Sequence, residues 1–195
     1  MILSNEAIFK AMDEGRLILR PEPSPRTPEH DKPSCPYNNN AVDLKLGDVI
    51  RVPKKGPFTI DLMQPGPLAE FIAANSTEEK LTLERPYPLK PYRFVLGMTY
   101  EWVELPLGKK PILAARIEGK SSRARCGLLV HFTAPTVHAG WRGHLTLEMI
   151  NLGPCTFMLT PGMPIAQLIL EPVIGNVQAN PSVFQNQTTP EGSHA

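Results

Sequence analysis

Apolar residues fall at helical spacing in two short places along this chain and in strand-like runs almost everywhere else. Near the start, Ser4 is placed to cap a helix whose inward side carries Ile8, Phe9 and Met12. Gly15 stands where a left-handed residue would stop it. Leu68, Phe71 and Ile72 share one face at the same spacing, which predicts a second helix from Pro67 to Ala74. From Val42 onward the runs alternate or are rich in branched and aromatic residues: Val42 to Val52, Lys80 to Leu83, Arg93 to Leu105 and Ile112 to Ile117. They continue with Leu128 to Thr133, His144 to Asn151, Thr156 to Leu159 and Ile165 to Val173. Many short strands between Gly and Pro turns predict a mainly β protein, a sandwich or a closed barrel. No fixed-period repeat and no alternation of helices with strands appears, which disfavours a parallel α/β sheet.

Six prolines between Pro21 and Pro36, mixed with Ser, Thr and charged residues, predict a stiff exposed loop. Too little chain precedes it to fold alone, so residues 1–195 read as one domain. The stretch from Gln178 to Ala195 is polar, with only Val183 and Phe184 as large apolar residues. It is expected to be a mobile tail unless a ligand orders it. The 22 prolines argue against a helical bundle. A formal net charge of +1 supplies no field to steer long nucleic acid, so an anionic ligand has to be held by a local cluster of basic groups; a small phosphorylated molecule fits that better. No run of about 18 apolar residues occurs and the amino terminus lacks a basic region followed by an apolar core, which predicts neither membrane spanning nor export. Cys35, Cys126 and Cys155 are odd in number and far apart, which suits a reducing compartment and hence the cytoplasm.

Two polar clusters stand out. Residues 118–127, Glu-Gly-Lys-Ser-Ser-Arg-Ala-Arg-Cys-Gly, place three cations and two hydroxyls within six residues between strand-like runs. Such a loop offers charge-assisted hydrogen bonds to phosphate oxygens, and Gly119 and Gly127 let backbone approach a ligand. The glycines are not spaced as in a Walker loop. The second cluster runs from Gly140 to Asn151. As a strand it turns Leu145, Leu147 and Met149 one way and His144, Thr146 and Glu148 the other. Alone, Glu148 reads as an ordinary solvent-facing carboxylate.

The stretch EGKSSRARCGLLVHFTAPTVHAGWRGHLTLE, residues 118–148, resembles the core of the dCTP deaminases, with their G-[KR]-S-S-x-x-R loop followed by a strand ending in T-L-E. Four further pieces agree in order: LSNEAIFKAMDEGRLIL near the start, AVDLKLGD from Ala41, PGMPIAQL from Pro161 and FQNQTTPEG from Phe184. The resemblance implies a distorted jelly-roll β-barrel of the trimeric dUTPase-like type. It further implies a homotrimer whose sites each join the 120–125 loop of one subunit to the Glu148 strand of another. In that scheme Lys120, Ser122 and Arg123 hold the triphosphate of dCTP, Ser121 and Arg125 arrange water and base, and Glu148 transfers protons. Backbone near Ala134 reads the pyrimidine, and His138, Thr146, Leu147 and Gln167 complete the implied substrate-binding set. The tail with Gln187 closes over the phosphates. Magnesium is expected on the triphosphate, dUTP as product and dTTP as a candidate inhibitor, with no nucleic-acid or membrane partner.

The chemistry is self-consistent. Replacing the exocyclic amine of cytosine by oxygen needs water to attack the ring carbon, a proton on the ring nitrogen and departure of ammonia, and one carboxylate can relay those protons. Zinc deaminases use H-x-E and P-C-x-x-C. Here Pro154-Cys155 is followed by Met158, and none of His30, His131, His138 or His144 begins H-x-E, so no zinc set is expected. Two departures from the family pattern stand out: His138 where many members carry a sugar-facing aspartate, and Val183 where some carry a phosphate-binding lysine. A bifunctional enzyme that takes dCTP to dUMP, and a non-catalytic dNTP-binding regulator, are the competing readings.

Overall fold

The alternation along the chain becomes two antiparallel sheets facing one core in the computed structural model, which describes residues 1–30, 34–61, 63 and 68–192. In chain order the elements are α1 (Asn5–Asp13), β1 (Ile18–Arg20), β2 (Val42–Lys45), β3 (Val49–Pro53), α2 (Leu68–Ala74), β4 (Ser76–Lys80), β5 (Tyr87–Leu89), β6 (Phe94–Glu104) and β7 (Leu113–Gly119). They continue with α3 (Ser121–Ala124), β8 (Leu128–Leu129), β9 (Thr136–Val137), β10 (Arg142–Asn151), β11 (Phe157–Leu159) and β12 (Pro164–Pro172). One sheet runs β4-β3-β6-β10-β8 with β1 also on β6, the other runs β2-β12-β7-β9, and β5 pairs with β11. Among the described residues the sheets do not close into a continuous ring, and the barrel is a distorted jelly roll.

The core lies where inward positions of both sheets meet. Leu145, Leu147 and Met149 of β10 pack there with Leu44, Ile50, Leu168 and Leu170. Burying each such side chain contributes about 1.5–3 kcal/mol. The first helix forms as expected: Ser4 Oγ accepts the Ala7 N–H at 3.3 Å, Gly15 takes φ +67°, and Ile8 and Ala11 are fully buried.

Several elements differ from their sequence reading for local reasons. The run Val42 to Val52 breaks into β2 and β3, because Leu46 to Asp48 turns between them and the Gly47 N–H donates to Met98 O at 2.8 Å. The strand expected from Lys80 to Leu83 lies earlier, in β4. A turn closes after Leu81, where the Arg85 N–H donates to Thr82 Oγ1 at 3.0 Å. The run Leu128 to Thr133 stays paired for Leu128 and Leu129 only. The second helix spans Leu68–Ala74; Pro67, its expected first residue, lies outside the described residues, and its apolar face is only partly covered. The proline-rich loop, described except at 31–33, is tied down by the Tyr37 hydroxyl donating to Pro23 O at 3.0 Å and by Arg26 pairing with Asp13 and Glu22.

Candidate functional site

On β10 the alternation holds: Leu145, Leu147 and Met149 are buried, while His144, Thr146 and Glu148 point to the opposite side. That side forms the floor of a cleft of about 520 Å³. Its walls come from the loop 131–141, from Leu68 and Ile72 of α2, and from the C-terminal segment. Glu148 is 32% exposed at its side chain. Among the described residues its one hydrogen bond is to His131, whose Nδ1 stands 2.9 Å from Oε2. The His131 side chain is 8% exposed, and its Nε2 is buried without a hydrogen-bond partner among the described residues. With Nδ1–H donating to the carboxylate, Oε1 remains to receive a proton from water. The early end of β8 produces this contact: the chain leaves the ladder at Val130 and swings His131 over β10.

Of the residues singled out in the sequence, Glu148, Ala134, His138, Thr146 and Gln187 line this cleft. The 120–125 loop does not. Lys120 Nζ is bonded to Asp43 Oδ2, and the same aspartate accepts from Gln167 Nε2 at 3.1 Å and Asn38 Nδ2 at 2.9 Å. Lys120 and Gln167 thus belong to a cluster on the other sheet. Ser121, Ser122 and Arg125 are exposed, and Arg123 Nε is buried without a partner among the described residues. Leu147 is fully buried, so only its backbone, laddered with Gly97, is near the cleft floor. Among the described residues no Lys or Arg lines the cleft, and it therefore lacks charge for a triphosphate within one chain.

The C-terminal segment is docked rather than loose. Gln187 Nε2 donates to His144 O at 2.7 Å and to Thr146 Oγ1 at 3.0 Å, and Gln185 Nε2 donates to Gly140 O at 2.6 Å. Glu191 takes a bidentate pair from Arg51, and Phe184, Pro190 and Glu191 line the cleft. Burial opposes ionisation of Glu191, but the Arg51 hydrogen bonds and charge prevail and hold its carboxyl below the usual range. Sequence reasoning gave no role to His131, Asp43, Arg51 or Glu191. Asp43, His131 and Glu191 all sit in pieces that resemble the family, but the His131–Glu148 and Arg51–Glu191 contacts join residues 17 and 140 apart, which no periodicity encodes.

A family model described as dCTP deaminase-like matches residues 2–173. A dCTP deaminase of Rhodospirillum rubrum is 36% identical over 173 residues, covering 88% of this chain and 82% of that protein. A "dCTP deaminase, dUMP-forming" of Dictyoglomus thermophilum is 37% identical over 169 residues, covering 86% and 78%. Among solved structures, the 2'-deoxycytidine 5'-triphosphate deaminase of Agrobacterium tumefaciens superposes with a TM-score of 0.59 at 19% identity. It covers 87% of this chain, while this chain spans about half, 47%, of that one. At that identity the likeness speaks for the fold alone.

Proposed function

The chain belongs to the dCTP deaminase-like family, and from that premise we propose that it hydrolyses dCTP to dUTP and ammonia without zinc. It works as a cytoplasmic homotrimer whose sites each join two subunits. The observation that carries the chemistry is a carboxylate free of any cationic Lys or Arg partner among the described residues, Glu148, with one oxygen held by His131 and the other left for the nucleotide-sized cleft, whereas the second carboxylate there, Glu191, is paired with Arg51. Glu148 takes a proton from water as the water oxygen bonds to the ring carbon, and passes it to the ring nitrogen. The carbon–nitrogen bond to the former amine then breaks, and ammonia leaves with the second proton. The chain carries neither the H-x-E nor the P-C-x-x-C pattern of zinc deaminases, Pro154-Cys155 being followed by Met158, and this supports a route through the carboxylate.

The two halves of the site complement each other. Among the described residues the cleft has the base but no Lys or Arg; the 120–125 loop has the hydroxyls of Ser121 and Ser122 and the guanidinium groups of Arg123 and Arg125, but no carboxylate. Joined across a subunit boundary they supply a triphosphate clamp, and the loop covers a carboxylate that one chain leaves a third exposed. Magnesium accompanies the triphosphate, and dTTP, sharing sugar and phosphates, competes for the same place. Lys120, already paired with Asp43, anchors the base of the loop.

A second reading, in which dUTP is hydrolysed further to dUMP, is favoured by the dUMP-forming relative of Dictyoglomus thermophilum. Chromatography of dCTP, dCMP, CTP and dUTP after incubation with the purified protein and magnesium separates the two. Accumulation of dUTP with ammonia and no pyrophosphate is expected. Release of pyrophosphate establishes the second reading, and unchanged dCTP defeats both.

A further inference from the structure

Glu191 lies beyond residue 173, where the family match ends, yet its side chain is only 4% exposed. Arg51 of β3 donates to it twice, Nε to Oε2 at 3.0 Å and Nη2 to Oε1 at 2.6 Å. The Arg51 side chain is itself 14% exposed, and Glu78 approaches the same Nη2 at 3.2 Å. Such a fork fixes orientation as well as distance; removing Arg51 strands the Glu191 carboxylate away from water, whereas Arg51 without Glu191 keeps Glu78.

Little apolar burial helps to hold the segment. Its two large apolar residues are Val183, 84% exposed, and Phe184, which is partly buried against Gly192. A Cβ at Gly192 would stand 2.5 Å from the Phe184 ring, and φ there is +95°. The ring and the latch residue are therefore joined through one turn. Both side-chain N–H donors of Gln187 are spent on β10, and Thr146 Oγ1, which accepts one of them, donates onward to Pro190 O at 3.2 Å. In this position the segment is a wall of the cleft whose place is set by polar contacts, with the Arg51 pair at its far end.

We infer that Arg51 and Glu191 form a latch that fixes the C-terminal segment over the Glu148 cleft of its own chain. Arg51, acting through Glu191, is thereby a positioning residue for substrate retention. The latch rests on geometry alone; its effect on substrate rests also on the reading that the cleft takes dCTP.

Hydrogen exchange of residues 182–192 in the unliganded full chain, read by mass spectrometry, tests the latch without substrate. The Asn186, Gln187 and Gly192 amides are hydrogen-bonded there and report its opening. Glu191→Gln and Arg51→Met should speed exchange on the order of tenfold or more, and Glu191→Asp, which keeps the charge on a shorter arm, should fall between. In steady state the two disruptive variants should raise KM for dCTP by about tenfold with kcat within about twofold. Wild-type exchange rates in Glu191→Gln, a tail substitution that leaves the β sheets intact, would overturn the latch, as would a loss confined to kcat. If the wild-type protein leaves dCTP untouched, the deaminase reading fails while exchange still decides the latch.

Discussion

Glu148 can serve as a base only because a carboxylate oxygen accepts a proton, and an amide at the same place cannot. Glu148→Gln should lower kcat by about 10²–10⁴ while leaving dCTP affinity little changed; rapid-quench turnover and calorimetric binding read the two quantities separately. A second carboxylate, Glu101, is almost fully buried in β6, with Oε2 accepting the Lys45 N–H at 2.9 Å. Burial pushes its pKa up against the smaller opposing effect of that hydrogen bond. A raised folded-state pKa contributes stability that is complete below the unfolded value and is lost as pH rises through the folded one. Glu101→Gln should therefore flatten the decline in stability from acid towards neutral pH, as measured by urea unfolding across that window. The place of Glu148 on the cleft side of β10 was legible from strand alternation, and its proposed role only through the family resemblance. His131 was not, since its contact depends on where β8 stops pairing.

The long strands β6, β10 and β12 were readable because period-two alternation is a direct imprint of burial on one face. Strand ends and short elements were not, because hydrogen bonds from elsewhere decide them. Between Trp102 and Met98 the ladder with His144 and Thr146 of β10 is interrupted by two extra residues of β6. There Thr99 Oγ1 donates to Glu101 O at 2.7 Å and accepts the Leu145 N–H at 3.0 Å, a pattern invisible to periodicity. The C-terminal segment, polar enough to read as mobile, is held by Gln185, Gln187 and Glu191 instead. The loop after α3 is fixed by close backbone crossing: the Leu152 N–H donates to Gly127 O at 2.8 Å, and a Cβ at Gly153 would stand 1.9 Å from Cys126 O. Backbone cannot yield as a flexible side chain can. Gly153→Ala should destabilise the protein by about 1–3 kcal/mol in urea unfolding and loosen the end of the 120–125 loop relative to β10.

For the whole molecule, a mainly β sandwich or barrel was legible from many short strands, whereas the jelly roll, and the proposed division of the site between chains, came only through family resemblance. Hydrophobic periodicity does not say which faces meet between chains. A route through Glu148 predicts that exhaustive treatment with a zinc chelator, followed by return of magnesium, leaves the rate unchanged; loss of activity restored by zinc alone would show otherwise. The central claim is that the base and the phosphate loop of one working site come from different chains. Ser121→Ala and Glu148→Gln proteins, each inactive alone, should regain dCTP deamination when mixed under conditions that exchange subunits, because some interfaces then carry neither defect. No recovery after exchange has been verified by native mass, or full activity in a verified monomer, would contradict it and place the whole site within one chain.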